Sequence, residues 1–163
     1  MKHILPLITA IIFLPLTCLA RLGETKQQLD IRYGKPISDE KFGSQTQRVG
    51  YASNGFCFTI YITNNKAVAF IVSYLDNQPM TDQEIKLFLD KNSSGSGYKF
   101  DSLNSDMTVK VFVESDSDRS ARYYPSDPKS DNFSPRLVIA TKEGMDLLLG
   151  YWTKLIDKKT RSF

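Results

Sequence analysis

Residues 56–75 read FCFTIYITNNKAVAFIVSYL, two apolar runs on either side of Asn64-Asn65. In the first run Phe56, Phe58, Ile60 and Ile62 recur at every second position, the period of a strand with one buried face. The second run, 67–75, is apolar on both faces through Val68, Phe70, Ile71 and Val72, as expected of a strand covered on both sides. Asparagine tolerates positive φ, so Asn64-Asn65 predicts a tight turn that folds the two runs into an antiparallel hairpin. Asn54-Gly55, just upstream, is a second turn signal. Arg48-Val49-Gly50-Tyr51 before it fits a short strand, and 37–45 reads as a polar connection.

Helices flank this hairpin. Thr25-Lys26-Gln27-Gln28 has the pattern of a capping box, Leu29 and Tyr33 share a face, and Gly34 and Pro36 stop the helix, which predicts a helix over 26–33. Thr81-Asp82-Gln83-Glu84 is a second box, with Met80 and Ile85 placed as a staple and Ile85, Phe88 and Leu89 as the buried stripe of a helix ending near Asn92. Ser93-Ser94-Gly95-Ser96-Gly97 has the composition of a flexible joint. Beyond it, the alternation of Val109, Val111 and Val113, then 120–124, then 136–140 predict three strands. Thr141 caps a last helix with Met145, Leu148, Leu149, Trp152, Leu155 and Ile156 at helical spacing. The fold class is therefore α+β: an antiparallel β-sheet with capped amphipathic helices packed mainly on one face. The chain divides into a first α+β half, 21–92, and a second, 98–163, meeting at 93–97 in one compact domain.

The first twenty residues have a different character. Met1-Lys2-His3 is a basic start, 4–16 carry no charge, and Ala20 precedes the charged stretch from Arg21. This is the layout of an export signal over 1–20, with cleavage between Ala20 and Arg21. The apolar run, interrupted by Pro6 and Pro15, is shorter than the roughly 20 residues that span a bilayer. The expected location is periplasmic or secreted, with no transmembrane segment after signal removal. Lipid anchoring through Cys18 is the alternative, although Pro15-Leu16-Thr17 fits a lipoprotein signal poorly.

Composition excludes several chemistries. His3 is the one histidine of the 163 residues, and of two cysteines only Cys57 lies past the signal. The mature chain thus has no histidine for a Ser-His-Asp or Cys-His system or a His-ligated metal, and no intramolecular disulfide. A net charge of +3 is too small for an electrostatic footprint on nucleic acid. Glu114-Ser115-Asp116-Ser117-Asp118 resembles a calcium loop but lacks its glycine: position 6 is Arg119 counting from Glu114, and Ala121 counting from Asp116. It reads instead as a solvated turn. No serine elbow, Ser-x-x-Lys box or phosphate-cradling loop occurs, so no catalytic, metal or cofactor residue is assigned and no cofactor is expected. Cys57 in its aromatic run reads as a small buried apolar residue. Lys154, Lys158, Lys159 and Arg161 offer a weak contact to an anionic surface, or simply complement the helix dipole. Tyr98, Phe100, Tyr123 and Tyr124 are candidates to line a ligand groove, or to pack in the core.

Gly23-x-Thr25-x-x-Gln28-Leu29 running to Tyr33-Gly34-x-Pro36, then a tyrosine strand and an apolar hairpin, resembles the small outer-membrane-assembly lipoproteins of the SmpA/OmlA type and the related β-lactamase-inhibitor-protein-like modules. It is also similar to uncharacterised small secreted bacterial proteins with a comparable LGET…YGKP opening. The likeness covers 22–75 and implies a non-enzymatic α+β module that binds other proteins at the envelope. The expected function is thus an exported, non-catalytic protein-interaction module whose partner is another envelope protein. The alternative is a binder of small ligands or envelope polymer with a tyrosine-lined groove. A carboxylate-based hydrolase is a third reading, and it requires two buried acids facing one cleft.

Overall fold

The computed structural model describes residues 21–42, 45–103, 108–125 and 134–160, the last six as backbone. Ala20, Cys18, Arg161 and the side chains of Leu155, Ile156, Lys158 and Lys159 lie outside the described residues. In chain order the elements are α1 (Lys26–Tyr33), β1 (Ser38–Phe42), β2 (Thr46–Ser53), β3 (Phe56–Thr63), β4 (Lys66–Tyr74), α2 (Asp82–Asn92), β5 (Tyr98–Leu103), β6 (Lys110–Glu114), β7 (Ser120–Tyr124), β8 (Arg136–Ala140) and α3 (Lys142–Thr160). The fold is α+β, with all eight strands in one antiparallel sheet of order β1-β2-β3-β4-β8-β7-β6-β5.

The predicted hairpin is β3–β4, with Asn64 and Asn65 at φ of 51° and 60°; Asn54 and Gly55, at 52° and 82°, join β2 to β3. Positive φ at both central residues gives turns whose twist matches the flanking strands. The strands form two four-stranded meanders, β1–β4 after α1 and β5–β8 after α2, which join through β4 against β8, with 69–72 opposite 137–140. Two strands were not foreseen. The supposed polar connection 37–45 contains β1, and Tyr98-x-Phe100 begins β5; these are the outermost strands of the sheet.

Two of the three helices cover one face. Leu29 and Tyr33 of α1, with Ile85, Phe88 and Leu89 of α2, pack on Tyr51, Phe58, Ile60, Phe70, Val72, Leu137 and Ile139. Both capping boxes form, Gln28 donating to the Thr25 hydroxyl and Glu84 to that of Thr81 through their backbone amides. The Tyr51 hydroxyl donates to Asp30 at 2.8 Å and ties α1 to β2.

The third helix, α3, lies on the opposite face, with Met145 and Leu148 against Tyr61, Ala69, Val138 and Ala140. Its seat follows from a bulge. Tyr61 pairs with Ala69 and Ile62 with Ala67, which leaves Val68 as the extra residue of β4. The Val68 carbonyl accepts the Thr141 N–H at 3.0 Å, and the Thr141 hydroxyl accepts the Gly144 N–H at 3.1 Å, so the bulge and the N-cap hold each other. A Cβ at Gly144 would collide with the Val68 carbonyl. Leu149, placed in the buried stripe from sequence, is instead 42% exposed; Leu147 and Trp152 complete the packed face.

The joint is not the loose linker its composition suggested. The Ser93 hydroxyl accepts the N–H groups of Gly95 and Gly97, each at 3.0 Å, and donates to Glu114. The Ser94 amide donates to the same carboxylate at 2.7 Å. Arg119 donates to the Asn92 carbonyl at 2.6 Å, and the Asn92 side chain accepts the Leu22 N–H at 2.9 Å. Glu114 is therefore buried, not part of a solvated turn. Among the described residues no helix is long and apolar enough to cross a membrane.

Candidate functional site

The four aromatics proposed for a groove separate in the structure. Tyr123 belongs to the core, where its hydroxyl accepts the Met80 N–H at 3.1 Å. Tyr124 faces the other way, its ring edge-on to Trp152 with centroids 6.3 Å apart. Tyr98 and Phe100 do line a groove, with Phe112 beside them and Ile85 and Leu89 of α2 opposite. Alternation explains this: Tyr98 and Phe100 of β5 pair with Glu114 and Phe112 of β6, so all four project to the α2 face.

The groove has a volume of about 430 Å³ and an apolar floor. Its rim charges are matched in pairs: Lys110 meets Asp82 at 2.6 Å and Lys86 meets Asp90 at 2.5 Å. Among the described lining residues, both cations are thus paired. At the groove wall, the Tyr98 hydroxyl is buried and has no hydrogen-bond partner among the described residues. Burial, and then the negative charge of Glu114, push this phenol above its ordinary pKa, against the pull of Arg119. It is a neutral donor, and leaving such a donor unmatched costs about 1–3 kcal/mol.

The outer side of β5 is open. Phe100 is 57% and Leu103 42% exposed, and behind them Val113 of β6 shows 36% on the other face. A bulge between Phe100 and Ser102 leaves Asp101 without a partner on β6. The opposite end of the sheet is different. There β1 carries Ser38, Asp39, Glu40 and Lys41 in succession, all exposed, with Glu40 bound to Arg48 at 2.7 Å and Asp39 to Gln47. β5 is mixed, with Lys99 and Asp101 exposed beside Phe100 and Leu103, and is less charged than β1.

The remaining sequence candidates fall elsewhere. Cys57 is free and half-buried on the α3 face, its thiol pKa raised by burial. Lys154 is exposed on α3. Among the described residues, no group of three or more His, Cys, Asp or Glu side chains is placed to hold a metal ion. Glu114 is the buried acid of the described residues, and its carboxylate is met by three serines, not by a second acid.

No protein-family model matches the chain, and no curated protein matches it in sequence. Among solved structures it is similar to a cysteine-rich secretory protein from Staphylococcus aureus, at 15% sequence identity and a TM-score of 0.48. The match covers 75% of this chain and 45% of that one, so the chain spans less than half the length of that protein.

Proposed function

We propose that this protein is an exported, non-catalytic interaction module of the bacterial envelope that captures an extended, apolar segment of another envelope protein along β5. The observation that carries the reading is the outermost strand β5, where exposed Phe100 and Leu103 stand beside a groove whose rim charges are paired. An added strand would gain main-chain hydrogen bonds at the edge, with alternate side chains entering the groove. A carbonyl or hydroxyl of that segment would satisfy Tyr98. The export half of the proposal rests on the basic start, apolar run and Ala20-Arg21 boundary, and it draws support from the SmpA/OmlA-type resemblance over 22–75.

The test places a photo-crosslinking amino acid at position 100 in the full precursor, in its own host, with a second variant carrying it at Ile37 before the charged β1 edge. The expected result is an adduct with one envelope protein from position 100 and not from position 37. A synthetic peptide of the crosslinked segment should then bind the purified mature chain one to one, about tenfold or more weaker for Phe100→Glu. Equal adducts from both positions, or peptide binding indifferent to Phe100→Glu, would overturn the β5 assignment. Sequencing the mature N-terminus in the same preparation distinguishes Arg21 from a lipidated Cys18.

A further inference from the structure

A second cavity, of about 540 Å³, opens on the other face of the sheet between α3 and the β1–β3 end. It is independent of the β5 groove. Phe42, Tyr61 and Tyr151 wall it, Leu147 and Gly150 of α3 form its helical side, and the exposed lining is overwhelmingly apolar. The volume lies within the roughly 300–1,000 Å³ of ordinary small-molecule sites.

The walls are braced before any ligand arrives. The Arg48 guanidinium lies over the Phe42 ring at 5.4 Å and the Tyr151 ring at 5.7 Å. It donates to the Tyr151 hydroxyl at 3.1 Å and to Glu40 at 2.7 Å, and its charge acts on the Tyr61 phenol as well. Phe42 and Tyr151 meet edge to face with centroids 5.7 Å apart. One cation thus braces the Phe42 and Tyr151 rings, and most of the exposed lining is hydrocarbon.

Its floor reaches the helix backbone. A Cβ built on Gly150 would meet no atom within 4 Å, which leaves open space where α3 otherwise carries side chains. The charges at the lining are unequal in availability. Asp146 is held by Lys142 at 2.6 Å, whereas Lys154 forms no ion pair among the described residues. An apolar cavity with one available cation beside it matches a molecule that is apolar over its length and anionic at one end.

We propose that this cavity binds a small amphiphilic anion, with its apolar body between α3 and the three rings and its acid group at Lys154. The probes are dodecanoate and, with the opposite charge on the same chain, dodecyltrimethylammonium. Both are titrated below their micelle concentrations into the isotope-labelled mature protein and followed by calorimetry and amide shifts. The expected result is one saturable dodecanoate site per chain, with shifts centred on Phe42, Tyr61, Leu147 and Tyr151. Gly150→Leu fills the cavity at a position with room for a side chain and replaces a poor helix former, so the fold persists. This variant should bind dodecanoate about tenfold or more weakly while melting no lower than the parent. Lys154→Glu should weaken dodecanoate by about three- to tenfold and turn the preference towards dodecyltrimethylammonium, the size expected of an exposed charge.

Three outcomes would overturn the proposal. The first is the absence of a saturable site, or shifts centred on Phe100 and Phe112 instead. The second is binding that Gly150→Leu leaves unchanged. The third is concentration-dependent dimerisation that Gly150→Leu abolishes, which would make a second copy of the chain the occupant. Equal affinity of the parent for both probes would remove the anion from the proposal.

Discussion

A carboxylate keeps its charge away from water only where donors surround it. Glu114, 3% exposed, accepts from the hydroxyls of Ser117 and Ser93 and from the Ser94 amide. Burial alone would raise its pKa, but these hydrogen bonds outweigh it and hold the group at about 2. Because the folded value lies below the unfolded one, near 4.5, the ionised form favours folding above that pH. The contribution, about 2–3 kcal/mol, should be lost as pH falls from 4.5 towards 2. Urea titrations of Glu114→Gln across this range should show lower stability than the parent at pH 7 and a flatter acid limb; an unchanged acid limb would refute the assignment. Nothing near Glu114 in sequence announces this role, since two of its partners come from the joint some twenty residues earlier. Ser115, Asp116 and Asp118 are exposed, as a solvated turn requires; of the acids in the run only Glu114 is drawn in by the joint. Gly144 is a second such residue. A valine there should cost about 1–3 kcal/mol, measured by thermal melting, because its side chain meets the backbone carbonyl of Val68 rather than a flexible neighbour.

At the level of elements, what could be read from sequence depended on local signals. Both capping boxes are self-contained within four residues, and both form as read. Thr81→Ala should lower stability by about 1 kcal/mol in chemical denaturation, since it removes the acceptor for the Glu84 amide. The two Asn-containing turns were equally legible, because positive φ is written into residue type. Asn65, at φ 60°, already tolerates that conformation, so Asn65→Gly should be neutral or stabilising by a few tenths of a kcal/mol, whereas a β-branched residue there should destabilise. The outer strands β1 and β5 were illegible for one shared reason. A strand paired on one side only need not alternate, and SDEKF and YKFDSL carry little apolar periodicity. Their pairing is imposed by β2 and β6. That same partial pairing leaves the β5 edge available, so the sequence reading named Tyr98 and Phe100 for a groove without the strand that bounds it. Tyr98 and Phe100 were singled out as aromatics, but their separation from Tyr123 and Tyr124 depends on which face each strand turns to α2.

For the whole molecule, one compact domain was expected from the sequence, but not which strands would join its halves. The pairing of β4 with β8 joins residues about seventy apart, between strands that each read as the end of their own unit. The hydrophobic cluster under α1 and α2 draws on both meanders, from Tyr51 and Phe58 to Leu137 and Ile139. The halves should therefore unfold as one. Far-ultraviolet circular dichroism, which follows the sheet, and fluorescence of Trp152, which follows the docking of α3, should give coincident urea transitions. Separated midpoints would show that α3 leaves the sheet first. In mechanical terms the β4–β8 seam is a lap joint with a short overlap, since 69–72 meet 137–140 while β2 and β3 run against each other along their whole lengths. Such a joint takes its strength from the plates fastened across it. Here α2 with α1 is one plate and α3 the other, the second riveted at Val68 by Thr141. A tug on the outermost strand of the second half would be transmitted through these splints to the first, so the grip of α3 on the far side of the sheet sets how much load the near side can bear.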